Sequence, residues 1–429
     1  MTENSPPSPD ELDLIRHATF LERKAARHFE RGNLWQALAV QRQSMRIWMV
    51  CSRFDREAQC AQTIGDLCFR LNDHHAAIAS YKRARELRVQ LNDMHGLAIS
   101  IGRAAAVHQH LGNHQKALEL LEVTLSHWRA QSHRKELGIV LNNIGVSYGA
   151  LGQRATARFH YEQALTIRWD INDREGIAAT LHNLGALCLD EQNLHDARRF
   201  LNEAALIHRD LNAKADLGRT LLYLGFLHAK EQNLPQAVRY YEKAYQLATA
   251  PDVNDPNVEA AALHQLGAAA LAAGEPARAL RLLEQAHSIF VTTGMSQGVA
   301  KLHYLCGCAH QKMGHAGKAM QCLSQAGTMQ EKINDRSGLA ATFVAMAMLL
   351  SESGRQAPAY DMLIKASRLQ KELSEDQAYM NTINVLVHVC ELQGKDEEAI
   401  RYKRLGTAVR ARQSPIESTA TNHVHGECK

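Results

Sequence analysis

The chain has 429 residues, is 45% hydrophobic and 22% charged, and carries a formal net charge of only +4. Basic and acidic residues are interspersed, which argues against a nucleic-acid surface, since phosphate neutralisation needs a concentrated basic face. No apolar stretch approaches the roughly 20 residues of a membrane span.

The N-terminal stretch "MTENSPPSPDELDL" is acidic and proline-rich and lacks the apolar h-region of a secretory signal. Residues 1–10 are expected to be disordered, and a repeat array to occupy 11–412. Aligned on the glycine of "IG" or "LG", Gly65, Gly145, Gly185 and Gly225 share a register of forty, with Ala25 and Ala105 in the remaining slots. After a two-residue insertion the register resumes at Gly267, Gly307, Ala347 and Val387. Seven residues on runs a second column: Gly32, Asn72, Gly112, Gly152, Gln192, Gln232, Gly274, Gly314, Gly354 and Gly394. Five further on, a third column is alanine in every copy: Ala37, Ala77, Ala117, Ala157, Ala197, Ala237, Ala279, Ala319, Ala359 and Ala399.

Each copy reads as two helices. Leu141, Ile144 and Tyr148 fall on one helical face, and Ala157, Tyr161, Ala164, Leu165 and Ile167 form a second stripe. The Gly152 column lies between them, where a helix ends in a left-handed residue, a conformation cheap only for Gly and less readily Asn. Where Gln192 and Gln232 occupy that column, the following Asn193 and Asn233 are expected to take the role. The Gly145 and Ala157 columns are expected to face each other, small so that the two helices approach closely. Links recur as "LND" at Leu91–Asp93, "IND" at Ile171–Asp173 and Ile333–Asp335, and "LNA" at Leu211–Ala213. Their Asn suits a helix end and their Asp a helix start. One hairpin cannot bury its apolar face alone, so the pairs must stack. The expected fold is all-α, a right-handed superhelical solenoid of about ten antiparallel helix pairs.

The two-residue insertion lies in "ATAPDVNDPNVEA", around Pro251 and Pro256. It reads as a longer surface loop, which absorbs insertions cheaply, or as a seam at 249–258 between two blocks. Further on, Cys306 and His310 sit i, i+4, a spacing compatible with zinc ligation. The register places both at core positions instead, and free cysteine commonly packs as a small hydrophobe. "GHAGKA" at Gly314–Ala319 is too short for a phosphate loop, and no HExxH or GxSxG string occurs. No catalytic constellation, cofactor or metal is expected. Arg401, Lys403, Arg404, Arg410 and Arg412 form the densest basic run and read as a solvated array end. Residues 413–429, with the tail string "NHVHGEC", are expected to be disordered. Nine scattered cysteines, an odd number without framework spacing, point to a reducing cytoplasm.

These columns resemble the tetratricopeptide repeat family, whose pattern is a bulky residue, then Leu, Gly, Tyr, Ala, an aromatic and Ala at set offsets. One copy supplies Leu141, Ile144, Gly145, Tyr148, Ala157, Tyr161 and Ala164, and another Leu221, Leu224, Gly225, His228, Ala237, Tyr241 and Ala244. The resemblance covers Ile15 to Arg412. The family's proline near the end of the second helix is missing, with Trp169 and Arg209 near that place. The long copies look like the subclass of Pins-type polarity adaptors, kinesin light chains and Rap-type peptide-sensing regulators.

That resemblance implies a peptide-binding groove lined by the first helix of each pair. The candidate groove residues, which the repeat itself does not need, are Asn142, Asn143, His182, Arg219, Phe226, Lys230, His264, Lys301, Tyr304 and Lys312. Asn142 and Asn143 resemble the Asn-rich first helices of kinesin light chains and Pins-type adaptors, although Val146, Ala186 and Phe226 replace the further Asn of the Pins groove. The expected function is a non-catalytic scaffold or adaptor holding a protein or peptide segment, an acidic one given the lysines. The alternatives are a peptide-responsive regulator of the Rap type and an array that self-associates.

Overall fold

The computed structural model describes residues 8–413, all within helices or short turns. Residues 1–7 and 414–429, with most of both stretches expected to be disordered and the "NHVHGEC" tail, lie outside the described residues. The chain divides into two compact units, one up to Glu231 and the other from Gln232. The first unit holds α1 (Pro9–Glu30), α2 (Leu34–Val50), α3 (Phe54–Arg70), α4 (His74–Gln90), α5 (Met94–His110), α6 (His114–Gln131), α7 (Arg134–Ala150), α8 (Arg154–Asp170), α9 (Arg174–Asp190), α10 (Leu194–Asp210) and α11 (Lys214–Lys230). The second holds α12 (Leu234–Ala248), α13 (Pro256–Ala272), α14 (Pro276–Thr293), α15 (Ser296–Lys312), α16 (Ala316–Lys332), α17 (Arg336–Glu352), α18 (Gln356–Glu372), α19 (Asp376–Leu392) and α20 (Asp396–Gln413). No strand occurs among the described residues.

Within each unit every helix packs on the next, and from α3 onward the odd-numbered first helices also come close to the following first helix of their unit, as α7 does to α9 and α15 to α17. The all-α stack of antiparallel pairs is therefore as the columns require. The alanine column is its seam: each member is at most 2% exposed. The glycine column has a different partner from the one expected. A methyl group on Gly145 would lie 2.6 Å from the Tyr161 ring, and one on Gly185 2.6 Å from Leu201. Gly therefore makes room for the bulky residue four positions after the alanine, not mainly for the alanine itself.

The turns follow one design. Asn92, Asn172, Asn212 and Asn334 adopt the left-handed conformation with φ of 54–55°. Asp93, Asp173 and Asp335 then accept from the amides of Gly96, Gly176 and Gly338, capping the next helix. Two expectations are corrected here. Gln192 and Gln232 themselves take the left-handed position, at φ 60°. Asn193 and Asn233 cap α10 and α12 instead, accepting from the amides of Asp196 and Gln236. Asx side chains are worth more at an N-cap than at the helix end, where the turn closes around either residue. In the insertion, Asp255 caps α13 by accepting from Asn257 and Val258, with Pro256 in the first turn.

A buried arginine locks two of the junctions between pairs. Arg168 on α8 donates through Nη1 to the Gly176 carbonyl at 2.6 Å and to the Thr180 hydroxyl, while its Nε lies 3.9 Å from Asp173 Oδ2. Arg88 on α4 repeats this with the Gly96 carbonyl, Ser100 and Asp93. Any side chain at Gly176 would collide with Asp173 and Arg168. Here the glycine is required by close approach rather than by its φ.

Candidate functional site

The first-helix face is where the repeat leaves side chains free to vary. In the first unit the backbones of α1 and α3 stand farther apart than those of later successive first helices, although Glu22 on α1 still reaches Arg56 and Cys60 on α3. A cleft of about 620 Å³ lies there, lined from α1 by Glu22 and Phe29, from α3 by Arg56, Asp66, Phe69 and Arg70, and from α5 by Arg103. Its two carboxylates are already engaged. Glu22 accepts from the Trp48 indole at 2.8 Å and pairs with Arg56; Asp66 accepts from the Tyr81 hydroxyl at 2.6 Å and lies 3.8 Å from Arg103. Arg70 stacks over Phe29, 4.8 Å from the ring centroid. The cleft thus offers cationic guanidinium edges beside two aromatic faces, with its acids engaged by partners within the fold. Sequence reasoning missed these residues. The recurrence of Phe29 and Phe69 forty residues apart, at positions the packing columns do not use, was the available signal.

The expected groove residues of the first unit are brought together, but several face each other rather than solvent. Asn142 is only 8% exposed and accepts from Asn183 Nδ2 at 3.0 Å. It was expected to lie open to solvent or ligand, and is instead a buried polar link between α7 and α9. Asn143 is partly buried, and its carbonyl accepts from Gln109 at 2.6 Å. His182 Nδ1 lies 3.1 Å from the Thr220 hydroxyl, which donates its own proton to the Asp216 carbonyl. The network therefore assigns the His182 proton to Nδ1. Burial, then the neighbouring His208 and Arg219, lowers the His182 pKa to about 4, so the ring is neutral. Its ring meets Tyr223 edge-on, and Tyr223 meets Phe226 in the same way. Arg219 is exposed and paired with Asp216 at 3.0 Å; Lys230 is exposed at the end of α11.

The remaining candidates belong to the second unit. His264 Nδ1 accepts from Gln265 at 3.1 Å, and burial, aided by the charge of Lys301, lowers its pKa to about 4. Tyr304 is partly buried, and burial, then Cys308, raises its hydroxyl to about 12. Lys301 is exposed, whereas the exposed Lys312 is tied to the Leu271 carbonyl at 3.0 Å. Cys306 belongs to the core with Leu302 and Leu283, as its register position requires. Among the described residues, no three His, Cys, Asp or Glu side chains are grouped to hold a metal ion, and no helix is long and apolar enough to cross a membrane.

Profiles of the tetratricopeptide repeat match residues 58–88, 97–168, 176–250 and 260–292. The chain is a tetratricopeptide repeat protein. Its long repeats have counterparts among solved structures. The apo form of the quorum sensor NprR from B. thuringiensis is 14% identical, with a TM-score of 0.55 over 79% of this chain and 97% of that one. Aspartyl phosphate phosphatase F from Bacillus subtilis is 15% identical, with a TM-score of 0.54 over 85% and 96%. A signal-transduction ATPase with a tetratricopeptide repeat sensor from Pyrococcus horikoshii is 13% identical, with a TM-score of 0.52 over 78% and 52%. At these identities the likeness is one of fold. No curated protein matches the chain by sequence. What the tetratricopeptide stack supplies chemically is a surface of cationic and aromatic side chains held by rigid helices.

Proposed function

We propose that the chain is a non-catalytic cytoplasmic adaptor that holds an acidic peptide or partner helix against the first-helix faces of its repeats. The observation that carries this reading is the α1–α3–α5 cleft. It combines exposed Arg70 and Arg103 with Phe29 and Phe69, while its own acids are internally satisfied. Arginine and aromatic side chains concentrate binding energy at interfaces. Asn143, His182, Arg219, Phe226 and Lys230 extend the same kind of surface along the first unit. His264, Lys301, Tyr304 and Lys312 provide one in the second. Varied chemistry at these positions, against an alanine column that never varies, supports recognition rather than packing as their role. Eight described cysteines are free thiols, which supports a reducing compartment.

The test is capture of native partners by the full chain, followed by affinity measurement with the purified partner. Arg70→Glu with Arg103→Glu is expected to weaken binding at least tenfold and to abolish most of its salt dependence, at unchanged melting temperature. Partners retained at full affinity, both by this variant and by Arg219→Glu with Lys230→Glu, would exclude the first-helix face of the first unit.

A further inference from the structure

A second cavity lies on the opposite side of the first unit. Helices α2 and α4 both pack on α3 without close backbone approach to each other, leaving a trough of about 320 Å³ between them. Its floor is apolar: Met45 from α2, Ala61 and Ile64 from α3, and Ala79 from α4. Its walls carry Arg42 and Arg46 on one side and Ser80 and Arg83 on the other, and none of the eight lining residues is acidic.

The charges there are poorly compensated. Arg42 and Arg46 are four residues apart on one face of α2, a like-charge spacing that costs a helix stability. Both are exposed, and Arg46 has no ion-pair partner among the described residues. Arg42 lies beside the Cys68 thiol, whose pKa burial raises and Arg42 pulls back down, and it too has no ion-pair partner among the described residues. Arg83 alone meets acids: it donates through Nε and Nη2 to the buried Glu57 at 2.9 and 2.7 Å, and lies 3.9 Å from Glu86. Neither acid lines the trough. Later copies do not repeat the pattern, since Glu122 and Glu162 stand where Arg42 does, and Val123 and Gln163 where Arg83 does. A local rule broken at one place, without an internal partner, is the mark of a functional surface.

We propose that this trough is a docking site for an acidic segment of a partner protein, which seats one apolar side chain on the Met45–Ile64 floor between carboxylates held by Arg42, Arg46 and Arg83. Charge complementarity selects the acidic flanks, and the apolar floor selects the central side chain. The trough is open along one side between two helices, so it accepts a chain lying across it and does not enclose a free small molecule, as a ligand cavity does. This site is independent of the first-helix face and stands or falls separately from it.

The experiment is a titration of the full chain, with labelled Met and Ile methyl groups, followed by nuclear magnetic resonance. The probes are a capped Glu-Glu-Leu-Glu-Glu peptide, a capped Lys-Lys-Leu-Lys-Lys peptide and inorganic phosphate. The acidic peptide is expected to shift the Met45 and Ile64 methyls saturably, and the basic peptide to leave them unmoved. Arg42→Glu with Arg46→Glu is expected to weaken the interaction at least tenfold. Ala79→Leu, an uncharged change at an exposed position that fills the trough, is expected to do the same and guards against misfolding of the charge variant. Absent shifts, equal affinity in both variants, or phosphate acting as strongly as the peptide would overturn the proposal.

Discussion

Gly145 on α7 lies directly beneath the ring of Tyr161 on α8, so that a single added methyl would sit 2.6 Å from an aromatic carbon. This contact explains why glycine recurs in a helix interior, where it costs about 1 kcal/mol relative to alanine. Gly102 on α5 occupies no such contact, and a methyl there meets nothing within 4 Å. Gly145→Ala should therefore destabilise by about 1–3 kcal/mol through overpacking. Gly102→Ala should raise stability by up to about 1 kcal/mol through helix propensity. Thermal and urea unfolding of the two variants measures both signs, and a stabilising Gly145→Ala would contradict the packing described.

The Arg168 junction predicts that charge alone does not substitute for the guanidinium. Its Nη1 serves the Gly176 carbonyl and the Thr180 hydroxyl together, deep between α8 and α9. A lysine carries the charge but not the planar fork. Arg168→Lys should cost about 1–3 kcal/mol by leaving buried groups unsatisfied, close to the cost of Arg168→Ala. Hydrogen exchange should quicken at the start of α9 in both variants while α15 in the second unit is unchanged. A lysine variant as stable as the parent would mean that charge, not geometry, holds the junction.

The contrast between these two features shows what the sequence makes legible. Gly145, Ala157 and the Asn-Asp links recur with fixed spacing, because every pair must solve the same packing and turn problem. The helices and their pairing therefore follow from periodicity alone. The junction arginines were harder to see, since their column holds Trp48, Trp128, His208, Phe290 and Gln330 in other copies. Only the coupled pattern of Arg88 with Asp93 and Gly96, repeated by Arg168 with Asp173 and Gly176, betrays them. The candidate site was legible only as a face. Whether Asn142 meets a ligand or Asn183 depends on how closely neighbouring helices approach, and no local pattern encodes that distance. The wider spacing of the α1 and α3 backbones was hidden for the same reason.

The buried histidines predict a pH dependence with a definite sign. His182 and His264 have folded-state pKa values lowered to about 4, against roughly 6.5 in the unfolded chain. Between these values the unfolded chain binds more protons, so stability rises with pH across that window. Their contribution is complete above about pH 6.5 and is lost as pH falls toward 4. Gln in place of His182 keeps a donor for Thr220 without a titrating group. His182→Gln should thus flatten the fall in melting temperature between pH 7 and 4.5, compared with the parent protein. Parallel curves for the two would show that His182 is protonated without cost in the folded state.

The link between Asn142 and Asn183 supplies a final test, one that separates structure from recognition. Asn142 is nearly buried, and its side-chain carbonyl accepts from the Asn183 amide at 3.0 Å across two successive first helices. Removing it leaves that partly buried amide without its acceptor. Asn142→Ala should therefore destabilise by about 1–3 kcal/mol. Asn183→Ala on top of it should add little, because the partner is already gone, giving a coupling of about 0.5–3 kcal/mol in the double-mutant cycle. A pure ligand contact would behave oppositely: each single change would leave the melting temperature alone and weaken only partner binding. Additive, negligible shifts in the cycle would return Asn142 to the binding surface and remove it from the framework.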